Sequence, residues 1–371
     1  MFFTIDKESL LNKLKIVEKI TAQRGNVQPV LANVLFEAEG NTLNLSATDL
    51  EISIKAKTTV AVKKEGKITL PAKKLLEIAA KLPDKPVEFS LNEDNNVVSI
   101  KCGNSKFEII GISAQEFPKI EDDSNNGTEI EIELEPLLKS IKYTAYAAAN
   151  YENRNVISGV FCLIKENKLE MAATDGNRLT RIVETIKNKD NQEAKLVIPS
   201  KTLNEFVRIC SFIAEEKVTF IVDKSKLTLK TMSFSINSRL IEGDYPPYEQ
   251  LIPKSTANNS VISREDLISA LDRVSTMVND RTSIVKFMFS ENKLNLKAET
   301  PNSGTSEDII ECEYNNDDLA IAFNYKYILD SIKIMESKNV KIGLNGSLSA
   351  TVFEPDSDEN YICLIMPIQI R

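Results

Sequence analysis

The sequence has no histidine and no tryptophan. Without histidine the usual general base is missing, and with it every Ser-His or Cys-His nucleophile arrangement. That weakens the case for catalysis without excluding other groups. The cysteines are Cys102, Cys162, Cys210, Cys312 and Cys363, odd in number, far apart and mostly beside apolar residues. They read as reduced core thiols of a cytoplasmic protein, and no CxxC pair offers a metal site. No apolar run approaches the roughly 20 residues of a membrane span. The start, MFFTIDKESL, turns charged within seven residues, so no signal peptide is visible. Positive charge is the scarcer sign, with 46 Lys and Arg against 54 Asp and Glu, a net of −8. Such a balance argues against a polyanionic partner unless the charges are segregated.

What the chain does have is a repeat. The stretch LEMAATDGNRL from Leu169 to Leu179 is matched by LNLSATDL from Leu43 and by LNLKAET from Leu294, spaced 126 and 125 residues apart. Each copy follows a polar turn: Gly40-Asn41-Thr42, Glu166-Asn167-Lys168 and Glu291-Asn292-Lys293. Solenoid units run to roughly 20 to 50 residues, so this period is domain-sized. With 42% apolar content to supply cores, the 371 residues divide into three domains, 1–120, 128–248 and 249–371. Polar segments after Phe117-Pro118 and Tyr245-Pro246-Pro247-Tyr248 mark the boundaries. Only the middle copy carries the full TDGNRL.

Each third reads as two strand-helix-strand halves, giving six helices. Strands at Phe2–Thr4, Glu129–Leu134 and Ser260–Ile262 lead into helices from Lys7 to Thr21, Leu137 to Ala148 and Ser263 to Met277. Ser263 is an N-cap followed by acidic residues, and Pro136 fits a first helical turn. The second halves open helices after Pro71, Pro199 and Asn324, followed by alternating strand runs that include Leu348–Phe353. Counted over the six helices the charge is +5, which leaves −13 for strands and loops. Helices gathered on one side would give an acidic protein a basic surface.

Three double-layered domains, basic helices, TDGNRL in the middle domain and a terminal MPIQIR together resemble the bacterial sliding clamp, the beta subunit of DNA polymerase III. The resemblance spans the chain, from FTIDKESLL to YICLIMPIQIR. It implies an α+β fold of three repeated clamp domains with helices inside and antiparallel sheets outside, and two chains closing head to tail into a ring. It implies a cytoplasmic processivity factor with no enzymatic activity, no cofactor and no metal. The implied partners are a second copy of the chain, double-stranded DNA bound without sequence preference, the polymerase catalytic subunit, the clamp loader, and other replication and repair proteins carrying short clamp-binding motifs. No membrane is involved. A ring that slides needs diffuse basic contacts to phosphates and no base-specific ones.

Carried over by motif, the family's peptide pocket between the middle and last domains comprises Ile157, Thr174, Gly176, Asn177, Arg178 and Leu179. Pro246 and Leu251 join from YPPYEQLIP, Asn324 and Tyr327 from FNYKY, Leu348 from SLSA, and Leu364, Met366, Pro367 and Ile368 from the terminus. Taken alone these aliphatics read as ordinary core. For DNA the resemblance points to Arg24, Lys73, Tyr151, Arg154 and Lys201. For ring closure it points to Lys74, Ile78, Leu82, Phe107 and Ile109 of the first domain against Thr276 and Met277 of the third. Asn177 stands where many members carry histidine, Gln250 and Gln369 where arginine is common, and Arg371 extends the usual end; the pocket's polar rim departs accordingly. The alternative is a protein-interaction scaffold that keeps the fold without encircling DNA. An enzyme resting on Thr174-Asp175 is a third reading.

Overall fold

The computed structural model describes residues 1–22, 28–120, 127–150, 155–188, 191–279, 282–357 and 360–369. The first repeat begins with β1 (Phe2–Ile5), α1 (Lys7–Val17), β2 (Asn33–Glu39), β3 (Thr42–Thr48) and β4 (Ile52–Thr59). It continues with β5 (Ala61–Lys64), β6 (Gly66–Pro71), α2 (Ala72–Lys81), β7 (Val87–Asn92), β8 (Val97–Cys102) and β9 (Ser105–Ile110). The second has β10 (Thr128–Glu133), α3 (Leu134–Thr144), β11 (Gly159–Lys165), β12 (Lys168–Thr174), β13 (Arg178–Thr185) and β14 (Ala194–Pro199). Its other half is α4 (Ser200–Cys210), β15 (Lys217–Asp223), β16 (Lys226–Lys230) and β17 (Phe234–Arg239). The third has β18 (Asn258–Ser263), α5 (Arg264–Val274), β19 (Ile284–Ser290), β20 (Lys293–Thr300), β21 (Gly304–Glu311) and β22 (Leu319–Asn324). It closes with α6 (Tyr325–Ile334), β23 (Asn339–Leu344), β24 (Thr351–Pro355) and β25 (Tyr361–Ile365).

Local chemistry sets the helix starts. The Ser263 hydroxyl accepts the Asp266 N–H and the Asn324 side chain accepts the Lys326 N–H, as the cap positions predict. Asp6 does the same for α1, accepting from Ser9. The first helix of each repeat ends sooner than its apolar spacing predicts, and a 3-10 turn follows: Glu18–Ile20, Ala145–Ala147 and Ser275–Met277. Tightening the last turn satisfies carbonyls that have no partner further along the helix. The expected strand at Leu348 also begins later, at Thr351, because Gly346 turns the chain at φ 127°. All five cysteines are free and buried, and burial pushes the Cys162 thiol up to about 12.

The chain forms two compact units that cut across the repeats. One comprises Met1–Glu135, Asn188–Gln192 and Lys201–Leu240; the other comprises Pro136–Lys187, Glu193–Ser200 and Ile241–Arg371. The first unit holds a five-stranded sheet, β5-β1-β7-β8-β9, and an eight-stranded one, β10-β15-β16-β17-β4-β3-β2-β6. The second holds an eight-stranded sheet, β14-β11-β12-β13-β25-β24-β23-β18, and a four-stranded one, β21-β20-β19-β22. All the pairings are antiparallel. The cut falls inside the middle repeat because backbone ladders join neighbouring repeats. Ile54 of β4 pairs with Ile236 of β17, and Thr180 of β13 with Cys363 of β25.

Candidate peptide-docking site

The TDGNRL stretch is the turn from β12 to β13. The Thr174 hydroxyl donates to the Arg178 carbonyl at 2.6 Å and accepts the Gly176 N–H at 3.1 Å. One Asp175 oxygen accepts the N–H groups of Asn177 and Arg178 at 2.9 and 3.0 Å. Gly176 sits at φ 88°, the left-handed region that glycine reaches without steric cost. The first repeat builds the same turn from Thr48 and Asp49, with Leu50 at φ 78°. The turn is therefore shared by two repeats. What differs lies beside it.

Alternation along β13 sends neighbouring side chains to opposite faces of the sheet. Leu179 joins Phe161, Ala172, Tyr248, Val352 and Leu364 in a buried apolar cluster, with Leu163, Tyr245, Ile252 and Ile362 packed against it. Leu251 lies between Tyr248 and Ile252, Leu348 just before β24, and Met366 just after β25, and all three are exposed. The Met366 N–H donates to the Asn177 carbonyl at 2.9 Å, and the Ile368 N–H to the Ala322 carbonyl at 2.7 Å, so the terminal segment is pinned beside the turn. Asn324 caps α6 through its side chain. The result is an apolar floor with apolar rims and a polar end at the turn, a form suited to a short peptide with one or two apolar anchors.

Every residue assigned to the pocket by motif lies in the second unit. Leu179 and Leu364 form the floor, and Pro246 and Pro367 are half-buried. Ile157 is outside the apolar cluster, in a 3-10 turn whose carbonyl accepts the Ala149 N–H. The aromatics Phe161, Tyr245 and Tyr248 were not predicted, although the repeated aromatic-proline at Tyr245-Pro246 marked the place. The Tyr245 hydroxyl accepts the Thr174 N–H at 3.1 Å, and burial raises its pKa. Tyr248 donates to Glu170 at 2.7 Å, and Arg181 donates to the same carboxylate at 2.6 Å.

Burial disfavours charge on Glu170, but the bonds from Arg181 and Tyr248 outweigh it and hold its pKa below the ordinary 4.5. A lowered folded pKa adds stability above the unfolded value and loses it as pH falls through the folded one. Acid unfolding of Glu170→Gln is therefore expected to be less steep than that of the parent chain below pH 4.5, read by circular dichroism. Identical acid midpoints and slopes would show that the carboxylate carries no such linkage.

The register shows why only one junction has this floor. The positions that match Ala172, Leu179, Val352 and Leu364 at the β4–β17 junction are Ser46, Ser53, Thr228 and Asn237. Thr228 and Asn237 hydrogen-bond to each other there. The repeat supplies the same frame twice per chain, and only the second copy is apolar. Nor is the sheet surface uniformly acidic, as the charge count implies. Lys55, Lys57 and Lys230 line a groove of about 330 Å³ on the eight-stranded sheet of the first unit.

Of the residues expected at DNA, Arg24, Tyr151 and Arg154 lie outside the described residues. Lys73 is exposed on α2. Lys201 sits 2.6 Å from Asp49 and 2.8 Å from Glu51, so its charge is already matched within the chain. Burial lowers its pKa, but those two carboxylates raise it more, and it stays protonated.

Of the residues expected at ring closure, Leu82 and Ile109 are buried in the chain's own core. Ile78, Phe107 and Met277 are half-buried, Thr276 is exposed, and Lys74 pairs with Glu77. Two edge strands expose isoleucines: Ile309 on β21, 58% exposed, and Ile110 on β9, 73% exposed.

Fold and groove together define a three-domain clamp of mixed helices and antiparallel sheets. Family models for the N-terminal, central and C-terminal domains of the DNA polymerase III beta subunit match residues 1–121, 131–247 and 249–369. The beta sliding clamp of Synechocystis is 30% identical, with 98% of each chain covered, and that of Synechococcus elongatus is 28% identical over the same shares. The crystal structure of the DNA polymerase III beta subunit from Thermotoga maritima aligns with a TM-score of 0.92 at 28% identity, covering 100% of both chains. The chain belongs to the bacterial DNA polymerase III beta subunit family, the DNA sliding clamps. It is a replication processivity clamp, a non-enzymatic protein whose general partners are DNA, polymerase and a second copy of itself. Among the described residues no helix is long and apolar enough to cross a membrane.

Proposed function

We propose that two copies close head to tail through β9 of one and β21 of the other, thread duplex DNA, and hold polymerase by a peptide in the groove of the second unit. The carrying observation is an unfilled junction. Three places in the repeat pattern call for a strand of one repeat to pair with a strand of the next. Two are filled within the chain, by β17 with β4 and by β25 with β13. The matching strands, β9 and β21, are sheet edges. An apolar edge left open invites another chain. Charge agrees with the head-to-tail sense: α2 carries Lys73, Lys74 and Lys81, and β21 carries Glu307, Asp308 and Glu311.

On this reading the domains are 1–120, 128–248 and 249–371, the protein works in the cytoplasm, and the clamp loader and repair factors compete for the groove. Arg24, Lys73, Tyr151, Arg154 and Lys201 are proposed as phosphate contacts, with Lys201 the weakest because DNA must displace two carboxylates. Purified clamp loaded on nicked circular DNA is expected to co-elute with it through gel filtration and to be lost once the circle is cut. Retention on linear DNA equal to that on circles would refute encirclement and favour a scaffold.

A further inference from the structure

Arg178 belongs to the groove by motif, yet its side chain leaves the groove face and is only 9% exposed. Its Nε lies 3.1 Å from Asp175, and its two terminal nitrogens donate to Asp330 at 2.7 Å and to the Tyr146 carbonyl at 2.8 Å. The guanidinium lies between two rings, 5.0 Å from the centroid of Tyr146 and 4.6 Å from that of Tyr327. Burial disfavours its charge, but Asp330 and Asp175 overcome that and raise its pKa. The rigid fork is therefore consumed by the 3-10 turn after α3, by α6 and by the TDG turn itself.

We infer that Arg178 is a latch between the middle and last repeats that positions the groove without touching the peptide. The first unit supplies the comparison. There the matching residue is Ile52, Lys19 and Thr202 replace the two tyrosines, and Glu205 replaces Asp330. With no arginine there, Lys201 of α4 reaches Asp49 of the turn at 2.6 Å, beside a cavity of about 340 Å³ lined by Lys19, Ile20, Asp49, Lys201 and Glu205. The same turn thus exists with a buried arginine fork in one copy and a part-exposed lysine contact in the other. The copy with the arginine fork is the one beside the apolar floor, where the Asn177 carbonyl holds the Met366 N–H.

The inference rests on the groove being the docking site, and the test separates the two. Affinity for a fluorescent peptide bearing Gln, Leu and Phe is measured for Arg178→Lys, Asp330→Asn, the double variant, Asp330→Glu and Met366→Ala. Asp330 is on α6 and half exposed, so its loss leaves the floor intact. A latch predicts that Arg178→Lys and Asp330→Asn each weaken binding about tenfold, because a charge-assisted bond is lost. The double variant is then no worse than the weaker single one, since both break one contact. Asp330→Glu recovers most of the loss, which a defect in folding alone would not. If Asp330→Asn binds as the parent does, whether or not its melting temperature falls, the latch idea is wrong. Additive losses would make Arg178 a direct peptide contact and overturn it as well. No effect of Met366→Ala would instead remove the groove reading beneath it.

Discussion

A chain carrying Phe107→Cys and Ser306→Cys is expected to become a covalent dimer on mild oxidation, while either single variant stays monomeric on a denaturing gel. The pair follows from the internal register. At the two junctions closed within the chain, Ile236 faces Ile54 and Cys363 faces Thr180. Carrying the hairpin registers into the outer repeats, Phe107 of β9 matches Ile236, and Ser306 of β21 matches Thr180. Facing residues of an antiparallel pair have Cα atoms about 4.5 to 5.5 Å apart, within the roughly 4.4 to 6.8 Å that a disulfide spans. The native cysteines are buried and do not compete. The complementary variant, Ile78→Asp with Met277→Asp, is expected to sediment as a monomer. Both residues are half-buried in the single chain, so the monomer tolerates the charge. Sealing it unpaired in an interface costs several kcal/mol. A dimer that survives this change, together with no cross-link at 107 and 306, would place the interface on other strands.

Much of this was legible in the sequence where the physics is local. The polar turns at Gly40-Asn41, Glu166-Asn167 and Glu291-Asn292, the serine and asparagine caps and the alternation of β10 depend on residues a few positions apart, and each appears where its pattern predicts. The two-unit division was not legible. It depends on β4 meeting β17 and β13 meeting β25, which are remote in the chain, and side-chain alternation carries no information on which distant strand is the neighbour. The groove was legible in outline through TDGNRL and MPIQIR, but its floor was not. Phe161 and Tyr248 look like core aromatics until strand register brings them to one face. Arg178 was placed in the groove by its motif, although alternation along β13 sends it to the face opposite Leu179. Ile109 was placed at the interface as an apolar edge residue, but the strand turns it inward and Ile110 outward.

Deleting Met366 to Arg371 is expected to abolish binding of polymerase-derived peptides while leaving the dimer intact. Met366 is an exposed methionine joined by its own N–H to the carbonyl of Asn177, beside a floor of Leu179 and Leu364. Methionine's flexible thioether adapts to differently shaped anchors, which suits one groove serving several partners. Losing one wall of an anchor pocket costs roughly 1 to 3 kcal/mol of peptide affinity, so Met366→Ala alone should weaken binding at least several-fold. The deletion goes further, because it also removes the bond from Ile368 to Ala322 and frees Asn177. The proposed interface uses β9 and β21, and the terminal segment belongs to neither strand. Fluorescence anisotropy of a labelled peptide and sedimentation of the same sample read the two effects separately. The first unit gives an internal control: Ser53 and Asn237 occupy the matching floor, so no second class of peptide sites should emerge at high concentration. Unchanged affinity in the deletion would show that the terminal segment forms no wall of the site. A stoichiometry of two peptides per chain would show that an apolar floor is not what selects the junction.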